Sequence, residues 1–278
     1  MPKGRVLALA VGFIFCTGTL FAASSGSLNL PEQGRFSAGL EVDRVYHKDM
    51  LPTNPTSTGP INLLSLEIDE INRFNSVVSY GLFKRGALSS GVSLKTGVAD
   101  LRLVGVERDT QLPLELFYEH GLYTALGTKG RYQLSDSVAL AADVQWGYSR
   151  LPLERTAFEN APGSLVTGNK RAQLKEFQAS LLLQKDFAVG RKTQIKFSPY
   201  FGPAFDKTEV RTGFLNFTSI GPVFINQLTN AQTEGRNEEE WGWILGFDLV
   251  SLNQALKLNV EFRFVSEEAV TLSLHYNF

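Results

Sequence analysis

The chain has 278 residues, 43% of them hydrophobic, a formal net charge of −1 at pH 7 and a single cysteine. A near-neutral balance excludes a nucleic-acid partner, because neutralising phosphates needs a basic excess. Past the N-terminal segment no stretch stays apolar for the roughly 18 residues of a membrane helix, so the mature chain can cross a bilayer only as a closed β-barrel.

The first residues read as a secretory signal. Lys3 and Arg5 give a positive start, Val6 to Phe21 an apolar run, and Ala22, Ala23, Ser24 and Ser25 small residues for cleavage. The cut is expected near Ser24, making residues 1–24 a signal peptide and 25–278 a single mature domain. The apolar run is interrupted by Thr17 and Gly18, which falls short of a spanning helix. Cys16 lies in the discarded segment behind Phe15, where a lipid anchor requires a small residue, so the mature chain keeps no cysteine for a disulfide.

Three less regular strands come first, over Phe36 to Tyr46, Phe74 to Phe83 and Leu88 to about Val104. Strict alternation follows in Leu122, Thr124, Leu126, Thr128, Gly130 and Tyr132, and most cleanly in Val138, Leu140, Ala142, Val144, Trp146 and Tyr148. It continues in Phe177 to Leu183 and in Ile195 to Phe205. Three series close the chain, Trp241 to Leu249, Leu256 to Phe264 and Val270 to Phe278. A period of two over about ten residues is the mark of a tilted, two-faced strand that crosses a bilayer. The expectation is an all-β, up-and-down antiparallel barrel of ten strands. Eight to twelve are allowed, because Leu64, Leu66 and Ile68 also alternate and Phe214, Phe217 and Phe224 lie in the last long link.

Link lengths alternate as such a barrel requires. Short ones fall at Lys84 to Gly86, Leu134 to Ser137, Phe187 to Lys192 and Val250 to Ala255. Long ones run from His47 to Arg73, Gly105 to Phe117, Arg150 to Ala172 and Asp206 to Glu240, with Ser266 to Glu268 a short exception. Both chain ends then lie on the periplasmic side. Aromatics are expected in two girdles. Tyr46, Phe74, Tyr118, Trp146, Tyr148, Phe177, Phe205, Trp241, Trp243 and Phe264 form the outer one, and Phe36, Phe83, Tyr132, Phe187, Tyr276 and Phe278 the inner one. A soluble β-sandwich would alternate too, but it has no need of girdles.

The opposite face of each strand gives the expected lumen. It sets Glu41, Asp43, Asp143, Glu176, Asp248 and Glu261 against Lys95, Lys129, Arg131, Lys196, Lys257 and Arg263. So even a balance points to paired networks rather than to a selectivity ring of one sign. His47 and His120, near Asp49, Glu115 and Glu119, are the candidates for a rim hydrolase. His275 points inward by parity with Phe278, with Glu261 as its expected partner. No catalytic, cofactor-binding or metal-ligating constellation is expected.

The ending from Val260 through Arg263, Phe264, Glu267 and Val270 to Phe278 resembles the closing hairpin of small opacity-type outer-membrane barrels. More distantly it is similar to the last hairpin of the chlamydial major porin, although this chain is short and lacks mature cysteines. The resemblance implies that the barrel-assembly machinery recognises Phe278, on a lipid-facing strand with Val270, Leu272, Leu274 and Tyr276. Expected partners are outer-membrane lipid and lipopolysaccharide, periplasmic chaperones, the assembly machinery, and a host or small-solute ligand at the loops. The expected role is a non-enzymatic structural barrel or narrow porin-like channel in the bacterial outer membrane. A surface adhesin or ligand-binding barrel is the alternative.

Overall fold

Alternating side chains make two-faced strands, and a two-faced strand in lipid must pair on both edges, because no water is present to satisfy its amides and carbonyls. The computed structural model describes residues 28–52, 63–107, 113–158, 165–168, 171–189, 195–213, 215–218, 227–231, 234–251 and 255–278. The expected signal peptide, residues 1–24, lies outside them.

The strands in chain order are β1 (Phe36–Pro52), β2 (Leu63–Arg85), β3 (Leu88–Glu107), β4 (Pro113–Gln133), β5 (Val138–Phe158), β6 (Leu165–Gly168), β7 (Arg171–Lys185) and β8 (Phe187–Val189). They continue with β9 (Ile195–Thr212), β10 (Leu215–Thr218), β11 (Gln227–Ala231), β12 (Glu234–Asn237), β13 (Trp241–Ser251), β14 (Leu256–Phe264) and β15 (Glu268–Asn277). Ten of them, β1 to β5, β7, β9 and β13 to β15, form an antiparallel barrel that closes because β1 bonds to both β2 and β15. The ten strands read from alternation are these ten. The short turns hold, with Gly86 supplying the positive φ of 59° between β2 and β3. The Phe187 link is itself partly strand, since β8 folds back onto β9.

The outer ends differ from expectation. Strands β2 to β5 run for 23, 20, 21 and 21 residues, whereas β13, β14 and β15 have 11, 9 and 10. Much of what reads as long loops is therefore wall. The alternation continues there with its meaning reversed. Within the membrane band apolar side chains such as Leu94, Leu126 and Leu272 point out and polar ones point in. Above it Leu66, Ile68, Leu101, Leu103, Leu151 and Leu174 are buried inside, while Glu67, Glu70 and Lys175 lie outside.

Bulges help to reset the faces. On β4 the register shifts between Tyr118 and Leu122, where His120 takes a φ of 53° and donates its backbone N–H to Asp100 Oδ1 at 2.7 Å. Both flanking residues have even numbers, yet Leu122 faces out and Tyr118 is wholly buried in the interior cluster. Tyr118 therefore does not belong to the outer girdle, a correction that parity alone could not supply. On β1 a shift between Val45 and His47 moves the inward face from odd residues to Lys48 and Met50. Tyr46, Phe74, Trp146, Trp241, Trp243 and Phe264 stand exposed at the upper belt, and Phe36, Phe83, Tyr132, Phe187, Tyr276 and Phe278 at the lower. Phe177 is covered by neighbours, its ring centroid 6.1 Å from that of Phe205.

The unequal strands leave a notch over β13 to β15, and β12 fills it by pairing with β1 on one side and β9 on the other. Above the belt the described wall is thus a ring of eight strands, β1, β2, β3, β4, β5, β7, β9 and β12, standing on a ring of ten. Eight strands leave an interior that side chains just fill. A closed antiparallel barrel with an apolar outer band, aromatic belts and a polar interior is the form in which strands span lipid. It places the protein in a bacterial outer membrane.

The last strand closes this barrel: Phe278 donates its backbone N–H to Phe36 O at 2.9 Å, and its ring lies 5.1 Å from that of Tyr276. Deleting Phe278 is expected to lower the amount of folded, heat-modifiable barrel in the outer membrane; unchanged migration on unheated gels would refute this.

Candidate functional site in the barrel interior

Polar side chains facing inward from ten strands have to find partners, since a buried polar group without one is costly. They do so at three heights. At the periplasmic mouth the segment from Leu28 to Arg35 enters the barrel ahead of β1. Leu28 is buried beside Ala141, Leu182, Tyr200, Ala204 and Ile244. Its backbone N–H and Asn29 Nδ2 donate to Asp248 Oδ2 at 3.2 and 2.5 Å, while Asn259 donates to Asp248 Oδ1 at 2.9 Å. Lys196 donates to Asn29 Oδ1 at 2.9 Å, and Lys257 to the Asn29 carbonyl. The segment packs against the wall at Gly81, where any Cβ would collide with the carbonyls of Pro31 and Glu32. Gln33 pairs with Gly81, and the Gly34 N–H bonds to its carbonyl at 2.9 Å.

Nearby, Arg131 reaches Gln184 at 3.1 Å and shares Asp186 with Lys196, each at 3.2 Å. Lys129 opposes Asp143 in the β4–β5 register, and Gln145 donates to Asp143 at 2.6 Å.

At mid-height Lys95 pairs with Glu41 at 2.8 Å. Asp43 accepts from Arg73 at 2.6 Å, from Arg263 at 2.7 Å and from Thr271 at 2.6 Å. Arg73 also pairs with Glu176 and lies over the Tyr123 ring. Arg263 extends to Glu261 at 3.3 Å and to Glu267 at 2.5 Å. Tyr200 donates to Glu261 at 3.1 Å. A Cβ on Gly246 would strike the Tyr200 ring, so this close crossing needs glycine.

The third height is the step from ten strands to eight. Here Lys48 pairs with Asp206 and, at 2.8 Å, with Glu267, and donates to Thr208 at 2.8 Å. Asn237 of β12 accepts from the Thr208 N–H at 2.9 Å and donates to the Asp206 carbonyl at 2.8 Å.

Of the lumen residues read from the sequence, Glu41, Asp43, Lys95, Asp143, Glu176, Asp248, Lys257, Glu261 and Arg263 are buried inside. Lys129, Arg131 and Lys196 are only partly covered, toward the lower mouth. Sequence reasoning missed Arg73, Lys48, Asp206 and Glu267, which with Asp43, Glu176, Glu261 and Arg263 form one chain of ion pairs. Extending the inward parity of β2 by one step reaches Arg73, and that of β9 reaches Asp206; the bulge hid Lys48, and Glu267 lies between strands.

His275 is buried as expected, but its Nε2 lies 3.0 Å from Ser273 Oγ rather than against Glu261. It sits opposite Lys257, while Glu261 pairs with Thr271, four residues further along each strand. On the outward face of β15, Leu272, Leu274, Tyr276 and Phe278 are exposed and Val270 is partly so. His47 is 2.7 Å from Glu67 and 3.4 Å from Asp49, whereas His120 lies 3.6 Å from Asp100. The two histidines stand on β1 and β4, three strand spacings or roughly 14 Å apart, so the fold does not bring them together. Among the described residues no group of three or more His, Cys, Asp or Glu side chains is placed to hold a metal.

No protein-family model matches the chain, and no curated protein matches it. Among solved structures it is similar to the translocator domain of the autotransporter NalP from Neisseria meningitidis, at 10% identity and TM-score 0.47, covering 99% of this chain and 94% of that one. The transport unit of the autotransporter AIDA-I from Escherichia coli gives 9% and 0.44, covering 99% and 98%. The outer membrane protein OprG from Pseudomonas aeruginosa gives 8% and 0.38, covering 91% and 99%. No residue role is carried over at these identities.

Replacing Arg73 by Met leaves Glu176 and one side of Asp43 facing a buried gap, and should destabilise the barrel by about 3–5 kcal/mol in urea unfolding from vesicles. Adding Glu176→Gln should restore part of that loss; a single-variant cost within error of zero rules the linkage out. Above the belt, partial burial alone would lower the His47 pKa, but the carboxylates of Glu67 and Asp49 outweigh it and hold the pKa above its ordinary value. Stabilisation from this histidine is therefore full below the ordinary histidine pKa of about 6.5 and fades as pH rises through the higher folded value. NMR titration should find His47 raised, and Glu67→Gln should bring it down.

Proposed function

We propose that the protein is a non-enzymatic structural barrel with no standing ion path, which carries a rigid upper ring out to the cell surface. The observation that supports this reading is the filling of that ring by Ile68, Leu101, Leu103, Tyr118, Leu151 and Leu174. A conducting path needs polar lining or width, and eight strands around apolar side chains provide neither. Below the ring, the paired charges and the Leu28 segment occupy the lumen. Delivery by periplasmic chaperones and recognition of the terminal Phe278 strand by the barrel-assembly machinery belong to the same proposal.

A second reading has its own support. β6, β10 and β11 form a separate three-stranded antiparallel sheet built from two different outer links. Strand edges of a small separate sheet are pairing surfaces for an extended segment of another protein, which suits an adhesin or ligand-binding role. A hydrolase at the rim has no such support, given the separation of His47 and His120.

Planar-bilayer recording on refolded protein is expected to show no reproducible conductance steps at neutral pH. A steady open level would overturn the closed reading in favour of a narrow channel. Silence together with cell binding that disappears when residues 215–231 are deleted would establish the second reading.

A further inference from the structure

Outward side chains just above the aromatic belt are not alike around the barrel. On the β1–β4 side the cations there are matched by acids: Arg44 pairs with Glu70 at 2.5 Å, and Arg102 is shared between Asp69 at 2.7 Å and Glu115 at 3.1 Å. On the β7–β9–β12 side, cations predominate. Lys175 stands two residues above Phe177, and Lys207 two above Phe205; the register sets Phe177 beside Lys207, Lys175 beside Glu209, and Glu209 beside Arg236. Lys175, Lys207, Glu209, Arg211 and Arg236 line a cleft of about 320 Å³ that also takes in Gln173 and Glu234. Among the described residues four cations line it with two acids. The ion pairs within it, Arg211 with Glu234 at 2.7 Å and Lys207 with Glu209 at 3.2 Å, are partly exposed. Exposed pairs of this kind contribute little and yield readily to a better anion.

Height identifies that anion. Immediately below the cleft, Trp241 is 66% exposed beside Phe205, with ring centroids 5.3 Å apart, at the depth where acyl chains meet headgroups. We propose that this cleft binds a phosphorylated glycolipid of the outer leaflet, that is, lipopolysaccharide. Its phosphates are held by Lys175, Lys207, Arg211 and Arg236, its sugar hydroxyls meet Gln173, and its acyl chains lie along Trp241. Lysine and arginine bind phosphate by charge-assisted hydrogen bonds, the stronger kind, and an anion of two charges satisfies the local excess of two cations.

The test is titration of the full-length folded protein, in mild detergent, with purified lipopolysaccharide, the same lipopolysaccharide after enzymatic dephosphorylation, and inorganic phosphate, read by native mass spectrometry. Lys175→Gln, Lys207→Gln and Arg236→Gln in combination should weaken retention of the phosphorylated lipid by at least about tenfold, as should dephosphorylation. Arg44→Gln with Arg102→Gln, on the opposite wall, should not. Equal retention of the dephosphorylated lipid, or an equal loss from the opposite-wall variant, overturns the site. Displacement by millimolar inorganic phosphate assigns the cleft to free anions and overturns the lipid. Heat-modifiable migration verifies folding of each variant; if the triple variant fails to fold, Lys207→Gln alone, compared with Arg44→Gln, decides by the same probes.

Discussion

Every backbone amide and carbonyl in the hydrocarbon layer has to be satisfied by another strand, and the rest of this structure follows from that demand. It requires closure, supplied by the pairing of β1 with both β2 and β15. Closure of ten two-faced strands puts one face of each inside, and the lipid claims the apolar face. The inward face is left polar and buried, which obliges its charges to pair. Asp43, shared by Arg73, Arg263 and Thr271, and Lys48, shared by Asp206 and Glu267, are the outcome. Pairs this deep add modestly to net stability, because desolvation offsets much of their attraction. What they do is tie strands far apart in sequence into one arrangement.

Leaving the lipid reverses the rule. Once water is outside, the polar face turns outward and the apolar one in, so the same chain carries two barrels of opposite polarity stacked end to end. The junction lies where β13 to β15 stop and β12 takes their place. Lys48, Asn237 and Asp206 sit at that junction, satisfying the backbone and side-chain groups that the change of strand number would otherwise strand.

The sequence is legible where one rule holds throughout a stretch. Val138 to Tyr148 and Val270 to Phe278 obey strict parity within the membrane band, so their faces, the strand count and the periplasmic turns can be read directly. Legibility stops where the rule changes. Ile68 and Tyr118 look like loop and girdle residues because an apolar side chain reads as lipid-facing until its height is known. Bulges at His47 and His120 exchange the faces without leaving a mark in the composition. Parity also gives face without height, which is why His275 was matched with Glu261 instead of Ser273. The entering segment was invisible for a different reason: Leu28 and Asn29 meet Asp248 across a sequence separation of about two hundred residues, with no periodicity to announce it.

The eight-strand ring has one more consequence, for the direction of travel. Its outer surface carries Glu67, Glu70, Arg102, Lys175, Lys207 and Arg211, and drawing such charges back through hydrocarbon costs several kcal/mol for each ion. Before insertion, however, the same segments are an open chain whose charges remain hydrated, and only after passage do Leu66, Leu103 and Leu174 have one another to pack against. The folded ring therefore works as the head of a rivet formed on the far side of the sheet. Such a head opposes withdrawal of the folded protein through the bilayer.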